Sequence, residues 1–392
     1  MTETILIVGS IALDTIENNR GKREDLIGGS TTYVTVAAGR SVPVNVVGVI
    51  GNDFPDEGLK IYQRYANSLV DLECKEGNTF RWGGRYGENM DNRETLFTDL
   101  GVFSDFSPRL STVNKNVSNV FLANIHPSLQ LSVINQMAGK PLIVTDTMNL
   151  WIETTKNKLL KVLKKSDILL INESEAELIT GTNNIDRSAI QLQGLGPSTV
   201  VIKKGSSGAV LFHGEEKVSI GAYPVKDVID TTGAGDTFGG GFVSALASGG
   251  TFRDALIKGS ALASICVEGF GVESLLEVNL EEIKKRDNSP GANRETIVAV
   301  VSYQFGIAPP IVGFAAMTNL GNIYKMANKN VLTVGNSFKK TIRVDSRDDF
   351  VSLALLPSQD GSQPFYLAMT KNGRHYVSKD LDSWTYQSVA PL

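Results

Sequence analysis

Short apolar, β-branched runs recur along the first three quarters of the chain. Between them, apolar positions return at helical spacing. The runs at 5–8, 44–50, 120–123, 142–145, 168–171 and 200–203 predict strands. The stretches 31–40, 56–69, 129–138, 156–165, 174–180 and 237–247 predict helices. Continuous apolar strands alternating with helices imply parallel strands covered on both faces, an α/β layered sheet. The segment 80–106 breaks the alternation. It is rich in Arg, Tyr, Trp and Thr and predicts an antiparallel flap beside the main sheet.

Beyond about residue 295 the pattern changes again. The segment 314–324 matches 366–376: Ala316/Ala368, Met317/Met369, Thr318/Thr370, Gly321/Gly373 and Tyr324/Tyr376 keep one spacing of 52. Each copy predicts a hairpin about a glycine turn, and a period near 50 suggests blades of a repeat architecture. The stretch Tyr376-Val377-Ser378-Lys379-Asp380-Leu381-Asp382-Ser383-Trp384 resembles the Ser-x-Asp…Trp turn of sialidase-type propeller blades, one residue shorter. Two such units cannot close a propeller alone, so they must pack on the rest of the chain, pair with another chain or form a small β-sandwich, since their sheet edges would otherwise be exposed.

Charge follows the same division. The chain has 392 residues and a formal net charge of -4. No glutamate follows Glu295, and the last 97 residues hold 9 Lys and Arg against 6 Asp. The basic C-terminal part is therefore net +3 and the remainder net -7. It also holds 11 of the 29 aromatic residues, which favours strands over helices. The turn-rich cluster from Asp287 to Arg294 predicts a linker, with a boundary at about 288–296. The expected organisation is a domain at 1–290, its flap within about 80–106, and an all-β repeat module at 296–392.

The weak acidity argues against nucleic acid or an anionic membrane as partner. No apolar run approaches the length of a membrane helix. Two cysteines, Cys74 and Cys266, build no disulfide framework, which suits a cytoplasmic location. The three histidines lie far apart, so no zinc spacing exists.

The densest chemistry is Asp230-Thr231-Thr232-Gly233-Ala234-Gly235-Asp236, followed by a helix expected to start near Thr237. Glycines let successive backbone amides crowd one point, and a helix N-terminus adds positive potential: an anion hole. A carboxylate at its mouth suits proton abstraction beside a developing phosphoryl charge. The same residues, read locally, also fit a tight turn with Asp236 as helix N-cap. There is no Gly-x-x-x-x-Gly-Lys-Ser/Thr anywhere, which excludes a P-loop enzyme.

This segment resembles the C-terminal signature of the ribokinase-like (PfkB) carbohydrate and nucleoside kinases, and the resemblance extends over residues 3–285. The stretch from Val8 to Asp14 resembles the family's opening strand, Ile27-Gly28-Gly29-Ser30 its di-glycine motif, Asn172-Glu173-Ser174-Glu175 its Asn-x-x-Glu motif, and Val201-Ile202-Lys203-Lys204-Gly205 the strand and turn beside the nucleotide. The resemblance implies a ribokinase-like three-layer sandwich with a β flap as lid. It also implies an ATP- and Mg²⁺-dependent transfer to an alcohol of a small sugar, polyol or nucleoside. On that basis Asp236 is the general base and Gly233, Ala234 and Gly235 the anion hole. Asp14, Gly28 and Gly29 would hold substrate. Asn172, Lys203 and Gly205 would line the nucleotide, and Ser260 and Ser264 would leave room for adenine. Glu175 would organise Mg²⁺ through water, although Asn172 and Glu175 equally fit a capping box. Asp230 resembles a monovalent-cation (K⁺) site of some members.

One departure stands out. Many sugar-specific members carry Asn four residues after the second glycine; here Tyr33 stands there. Loss of that amide turns attention to the flap, where Trp82 and Tyr86 offer stacking and Arg81, Arg85 and Arg93 offer anion contacts. A nucleoside or an acidic or phosphorylated sugar is then as well suited as a plain sugar. The flap or the C-terminal module offers a homodimer contact. The alternative from another class is a non-catalytic ligand-binding or scaffold protein on a kinase fold, its C-terminal module recruiting a partner.

Overall fold

The computed structural model describes residues 2–87, 93–288, 297–305, 311–327, 339–345, 350–357, 364–371 and 373–389. Most of the expected linker therefore lies outside the described residues. The chain divides into two compact units: Met1–Gly214 with Ile220–Ala292, and Glu215–Ser219 with Asn293–Leu392.

In the first unit the strands are β1 (Ile5–Val8), β2 (Ala12–Asn18), β3 (Gly21–Gly28), β4 (Val44–Gly51), β5 (Ser68–Lys75), β6 (Phe80–Tyr86), β7 (Arg93–Asp99), β8 (Asn119–Leu122), β9 (Leu142–Asp146), β10 (Ile168–Asn172), β11 (Thr199–Lys203) and β12 (Ala209–His213). The helices used below are α1 (Ser30–Ala38), α2 (Asp56–Tyr65), α3 (Glu173–Thr180), α4 (Ala234–Ala247) and α5 (Phe252–Cys266). The main sheet runs β12-β11-β10-β9-β8-β1-β4-β5, parallel from β11 through β5. Every residue of β1, β4 and β8 is buried, as a parallel sheet covered on both faces requires. One apolar layer gathers Leu6, Val8, Val120 and Val133; another gathers Tyr33, Val36, Leu262 and Ile265. This is the expected three-layer α/β sandwich.

The helix expected at 56–69 ends at Tyr65, and residues 68–75 form β5. Ser68-Leu69-Val70 can pair with β4, and that pairing overrides the local helical spacing. Gly239, Gly240 and Gly241 sit inside α4, where each costs about 1 kcal/mol of helix propensity against alanine. Their lack of side chains is used. A Cβ on Gly239 would lie 2.5 Å from Phe121, on Gly240 2.8 Å from Ala37, and on Gly241 2.9 Å from Gly259. The triple glycine thus presses α4 against β8, α1 and α5 at once.

A second sheet of order β3-β2-β6-β7 includes the predicted flap strands. The hairpin β2–β3, invisible in the periodicity, carries Asp14 out of the main sheet and into this one.

The second unit holds two four-stranded antiparallel sheets. The first is β14 (Ile297–Phe305), β15 (Ile311–Thr318), β16 (Asn322–Ala327) and β17 (Lys339–Arg343); the second is β18 (Phe350–Leu356), β19 (Phe365–Thr370), β20 (Arg374–Ser378) and β21 (Thr385–Val389). Strand β13 (Glu216–Ile220) follows β12 in the chain and is flanked on both sides by first-unit residues. The two repeat hairpins turn identically. Gly321 and Gly373 adopt φ of 72° and 74°, and their amides donate to Thr318 O and Thr370 O at 2.8 and 3.0 Å. Only glycine takes that left-handed position without strain.

Candidate active site

Three neighbouring parallel strands end together, and their carboxyl ends deliver three polar residues to one edge. These are Asp146 on β9, Asn172 on β10 and Lys203 on β11. Asn172 and Lys203 are register partners. Such edges are where open α/β sheets hold ligands.

Lys203 is the hub. Its ammonium touches both carboxylate oxygens of Asp146 at 3.0 and 3.2 Å, with the two side chains 15% and 4% exposed. Burial pulls its pKa down, but the carboxylates of Asp146, Glu175 and Asp236 outweigh that and raise it above the ordinary lysine value. A Cβ on Gly235 would lie 3.3 Å from this ammonium. Lys203 therefore stands at the N-terminus of α4 as a second positive element beside the helix dipole.

Helix α4 begins at Ala234, three residues earlier than the pattern predicted. Gly233 is its N-cap with φ 72°, so Asp236 lies in the first turn and is not the cap. The intrahelical ladder opens with the Thr237 amide on Gly233 O at 2.8 Å. The amides of Gly235 and Asp236 precede it in the first turn, where no intrahelical carbonyl lies four residues back, the arrangement an anion hole uses.

The Asn172–Glu175 pair forms a complete capping box. The Glu175 amide donates to Asn172 Oδ1 at 2.8 Å, and the Asn172 amide to Glu175 Oε2 at 3.0 Å. Glu175 is nonetheless close enough to Lys203 to raise its pKa. The structural role and proximity to the site thus coexist in one side chain.

On the other side, Gly28 and Gly29 lie over Asp14. A Cβ on Gly28 would overlap Asp14 Oδ2, and the Gly29 amide points at that oxygen from 3.4 Å. Gly29 has φ 83°, and a Cβ there would meet the backbone of Ser10 and Ala12 within 2.7 Å. Side chains are excluded at both positions. Ser10 then closes α1, accepting the Ser30 amide through Oγ and the Thr31 amide through its carbonyl.

Tyr33 lies flat against Gly233; a Cβ there would enter its ring at 2.2 Å. It is 2% exposed, and its hydroxyl finds no hydrogen-bond partner among the described residues. Burial, then Asp14 and Asp230, push its pKa well above the ordinary tyrosine value. It stays a neutral donor between the Asp14 side and the Asp230 side of the site. Asp230 ties two loops: it accepts the amides of Thr232 at 2.8 Å and Gly271 at 3.0 Å. Burial raises its pKa, and these amides pull it partly back.

The flap residues separate by face. Tyr86 accepts a hydrogen bond from Thr232 Oγ1 at 2.7 Å, which fixes its side as the inner one. Trp82 is the register partner of Asp14 and shares that face. Arg85, one residue from Tyr86, lies on the opposite face, paired with Glu17 at 2.9 Å and Glu94 at 3.4 Å. With Arg81, Asp25 and Phe97 it lines an open cleft whose opposite charges already pair with one another. The structure does not bring Arg85 to Asp14. Ser264 is likewise engaged elsewhere, accepting from Arg286 at 3.0 Å and donating to Ala261 O. Ser260 is half-buried on the same helix, and Gly205 opens a turn with φ 53° and open space around it.

Asp146 is the site residue that motif reading missed. Its signal was its place at the end of an apolar parallel strand. Cys266 lies beneath the site, its thiol pushed up to about 12 by burial. Iodoacetamide at pH 8 should alkylate exposed Cys74 in the native protein and reach Cys266 only in denaturant. Mass spectrometry before and after unfolding checks this; a native double adduct would contradict the buried position.

Among the described residues, no helix is long and apolar enough to cross a membrane. The sequence profile described as pfkB family carbohydrate kinase matches residues 121–279. A cytidine kinase from Thermococcus kodakarensis is 28% identical over 276 residues, 68% of this chain and 97% of that protein. A ribokinase from Arabidopsis thaliana is 36% identical over 276 residues, 65% of this chain and 68% of that protein. The solved structure of Arabidopsis thaliana ribokinase complexed with ribose and ATP superposes with a TM-score of 0.61 at 22% identity, covering 74% of this chain and all of that one.

Proposed function

The chain belongs to the pfkB family of carbohydrate kinases, and on that premise we propose that it moves the γ-phosphate of ATP to a hydroxyl of a sugar or nucleoside held at Asp14. The observation that carries this is the meeting of Asp236, the α4 N-terminus and Lys203 at one strand edge.

The substrate lies between Asp14 and the base. Gly28 and Gly29 let the backbone close on it, and Trp82 shares Asp14's face of the flap. Asp236 takes the proton of the attacking hydroxyl. The substrate oxygen bonds to the γ-phosphorus as the bond to the ADP oxygen breaks. The amides at Gly235 and Asp236, with Lys203, hold the charge of the moving phosphoryl group. Among the described residues no three His, Cys, Asp or Glu side chains gather into a protein-built metal cage. Mg²⁺ favours one or two carboxylates, water and phosphate oxygens. Glu175 would hold it, with Asp146 nearby. The ion supplies charge neutralisation on the phosphates.

The test is ATP consumption over a panel of sugars and nucleosides with Mg²⁺ present. Turnover of at least one alcohol, absent in Asp236→Asn, is expected. Binding of ligands with no turnover anywhere would favour a scaffold and overturn the kinase reading.

Tyr33 supplies a finer prediction. A buried hydroxyl without a partner destabilises the unliganded fold, so Tyr33→Phe should leave Tm unchanged or slightly raised. If the hydroxyl donates to bound substrate, KM should rise by roughly 2–10-fold with little change in kcat, the worth of one neutral hydrogen bond. Steady-state kinetics with calorimetric melting separates the two effects. An unchanged KM would remove Tyr33 from substrate recognition.

A further inference from the structure

The two sheets of the second unit are copies of one blade, and the packing between them defines two different faces. Strand register gives the equivalence. Val300 pairs with Ala316 in the first blade, and Leu353 with Ala368 in the second. Phe314 corresponds to Tyr366 at the repeat spacing of 52. Alternation along the strands puts Val300, Phe314 and Ala316 on one face of the first blade, and Leu353, Tyr366 and Ala368 on the same face of the second. The opposite face carries Tyr303, Ala315 and Met317 in the first blade, and Leu367 and Met369 in the second.

The core of this unit joins unlike faces. Tyr303, Ala315, Met317 and Ile323 of the first blade pack with Leu353, Tyr366, Ala368 and Tyr376 of the second. Face two of one blade therefore meets face one of the next. Among the described residues of this unit, each blade is left with one face that the shared core does not include. On the first blade that is face one. Val300 is 55% and Phe314 41% exposed, where their equivalents Leu353 and Tyr366 are 6% and 2% exposed. On the second blade it is face two. Met369 and His375 are partly exposed, where their equivalents Met317 and Ile323 are fully buried.

We propose that face one of the first blade, centred on Val300 and Phe314, docks face two of the second blade of another copy of this chain, so that copies join head to tail. The interface already present within the unit defines the occupant. The repeat makes the open pair of faces equivalent to the pair that forms the core, so a second copy presents the surface for which the first was shaped. Such a contact is heterologous, and it satisfies every copy only by closing into a ring. Blade rings close at about four to eight blades. With two blades per chain, the ring holds two to four copies. Apolar side chains open at this level on a β-face otherwise invite uncontrolled association.

The test uses the full chain and light scattering after size exclusion over a range of concentrations. The expected mass is two, three or four times the 42.3 kDa of one chain. Phe314→Asp should fall to the mass of one chain, as should Met369→Asp on the opposite face. Each variant retains one intact face, so mixing them should restore a 1:1 pair and no larger species. Far-UV circular dichroism and Tm of the variants, unchanged at these partly or largely exposed positions, separate loss of docking from loss of folding. If Met369→Asp fails to fold, Leu367→Asp replaces it. A monomeric parent at every concentration, an oligomer indifferent to Phe314→Asp, or variants that do not pair on mixing would each overturn the proposal.

Discussion

Asp236→Asn is expected to lower kcat by about 10²–10⁴-fold, the usual contribution of a positioned general base. The substitution leaves the helix cap in place. Asp236 is not the cap of α4; Gly233 is, so the helix start does not depend on the carboxylate. The substitution removes one negative charge from the helix N-terminus, worth about 0.3–1 kcal/mol, and its attraction to Lys203. ATP should bind as well or better, because the anion hole and Lys203 are untouched and one negative charge is gone. Steady-state kinetics beside ATP titration calorimetry checks both. Loss of ATP binding together with kcat would instead mark Asp236 as a structural residue.

Lys203→Met should have the largest effect on stability. It removes the cation from a pair in which the Asp146 side chain is only 4% exposed. Breaking a buried pair from one side typically costs about 3–5 kcal/mol, since the remaining charge is stranded. At about 2–4 °C per kcal/mol, Tm should fall on the order of 10 °C. The double variant with Asp146→Asn should recover much of this, because neither charge is then left alone. That non-additivity identifies the pair in a double-mutant cycle. On the proposed reading activity should not recover with it, because the ammonium assigned to the phosphoryl charge is still missing. The pKa of Lys203 is raised in the folded state. Its stabilisation is therefore fully present below the unfolded lysine value and is lost only as pH rises through the folded one. The neutral range should show no titration of this contribution. A Lys203→Met protein with unchanged Tm would contradict the burial of the pair.

Asp236 and Lys203 lie in short local motifs, which is why the sequence singles them out, whereas Asp146 does not. Asp236, Gly233, Asn172, Lys203, Gly28 and Gly29 owe their positions to turns and strand ends a few residues long. The β-branched runs likewise announced β1, β4, β8, β9, β10 and β11, because strands buried on both faces carry continuous apolar sequence. The 52-residue spacing announced both C-terminal hairpins, since a left-handed glycine turn imposes its own residue pattern.

Other features needed the tertiary structure because they depend on register between distant segments. Trp82 and Arg85 look alike as flap candidates, yet only pairing with β2 puts Trp82 beside Asp14 and Arg85 with Glu17 on the far face. Asp146 is one aspartate among many until β9 and β11 end side by side and Lys203 reaches it. The chain at 66–70 reads as helix until β4 offers a partner. The blades give the same lesson. Sequence alone determined that two similar units exist. Only their packing decided which face of each is buried and which is left open, because a face is covered or bare according to its neighbour and not its own residues.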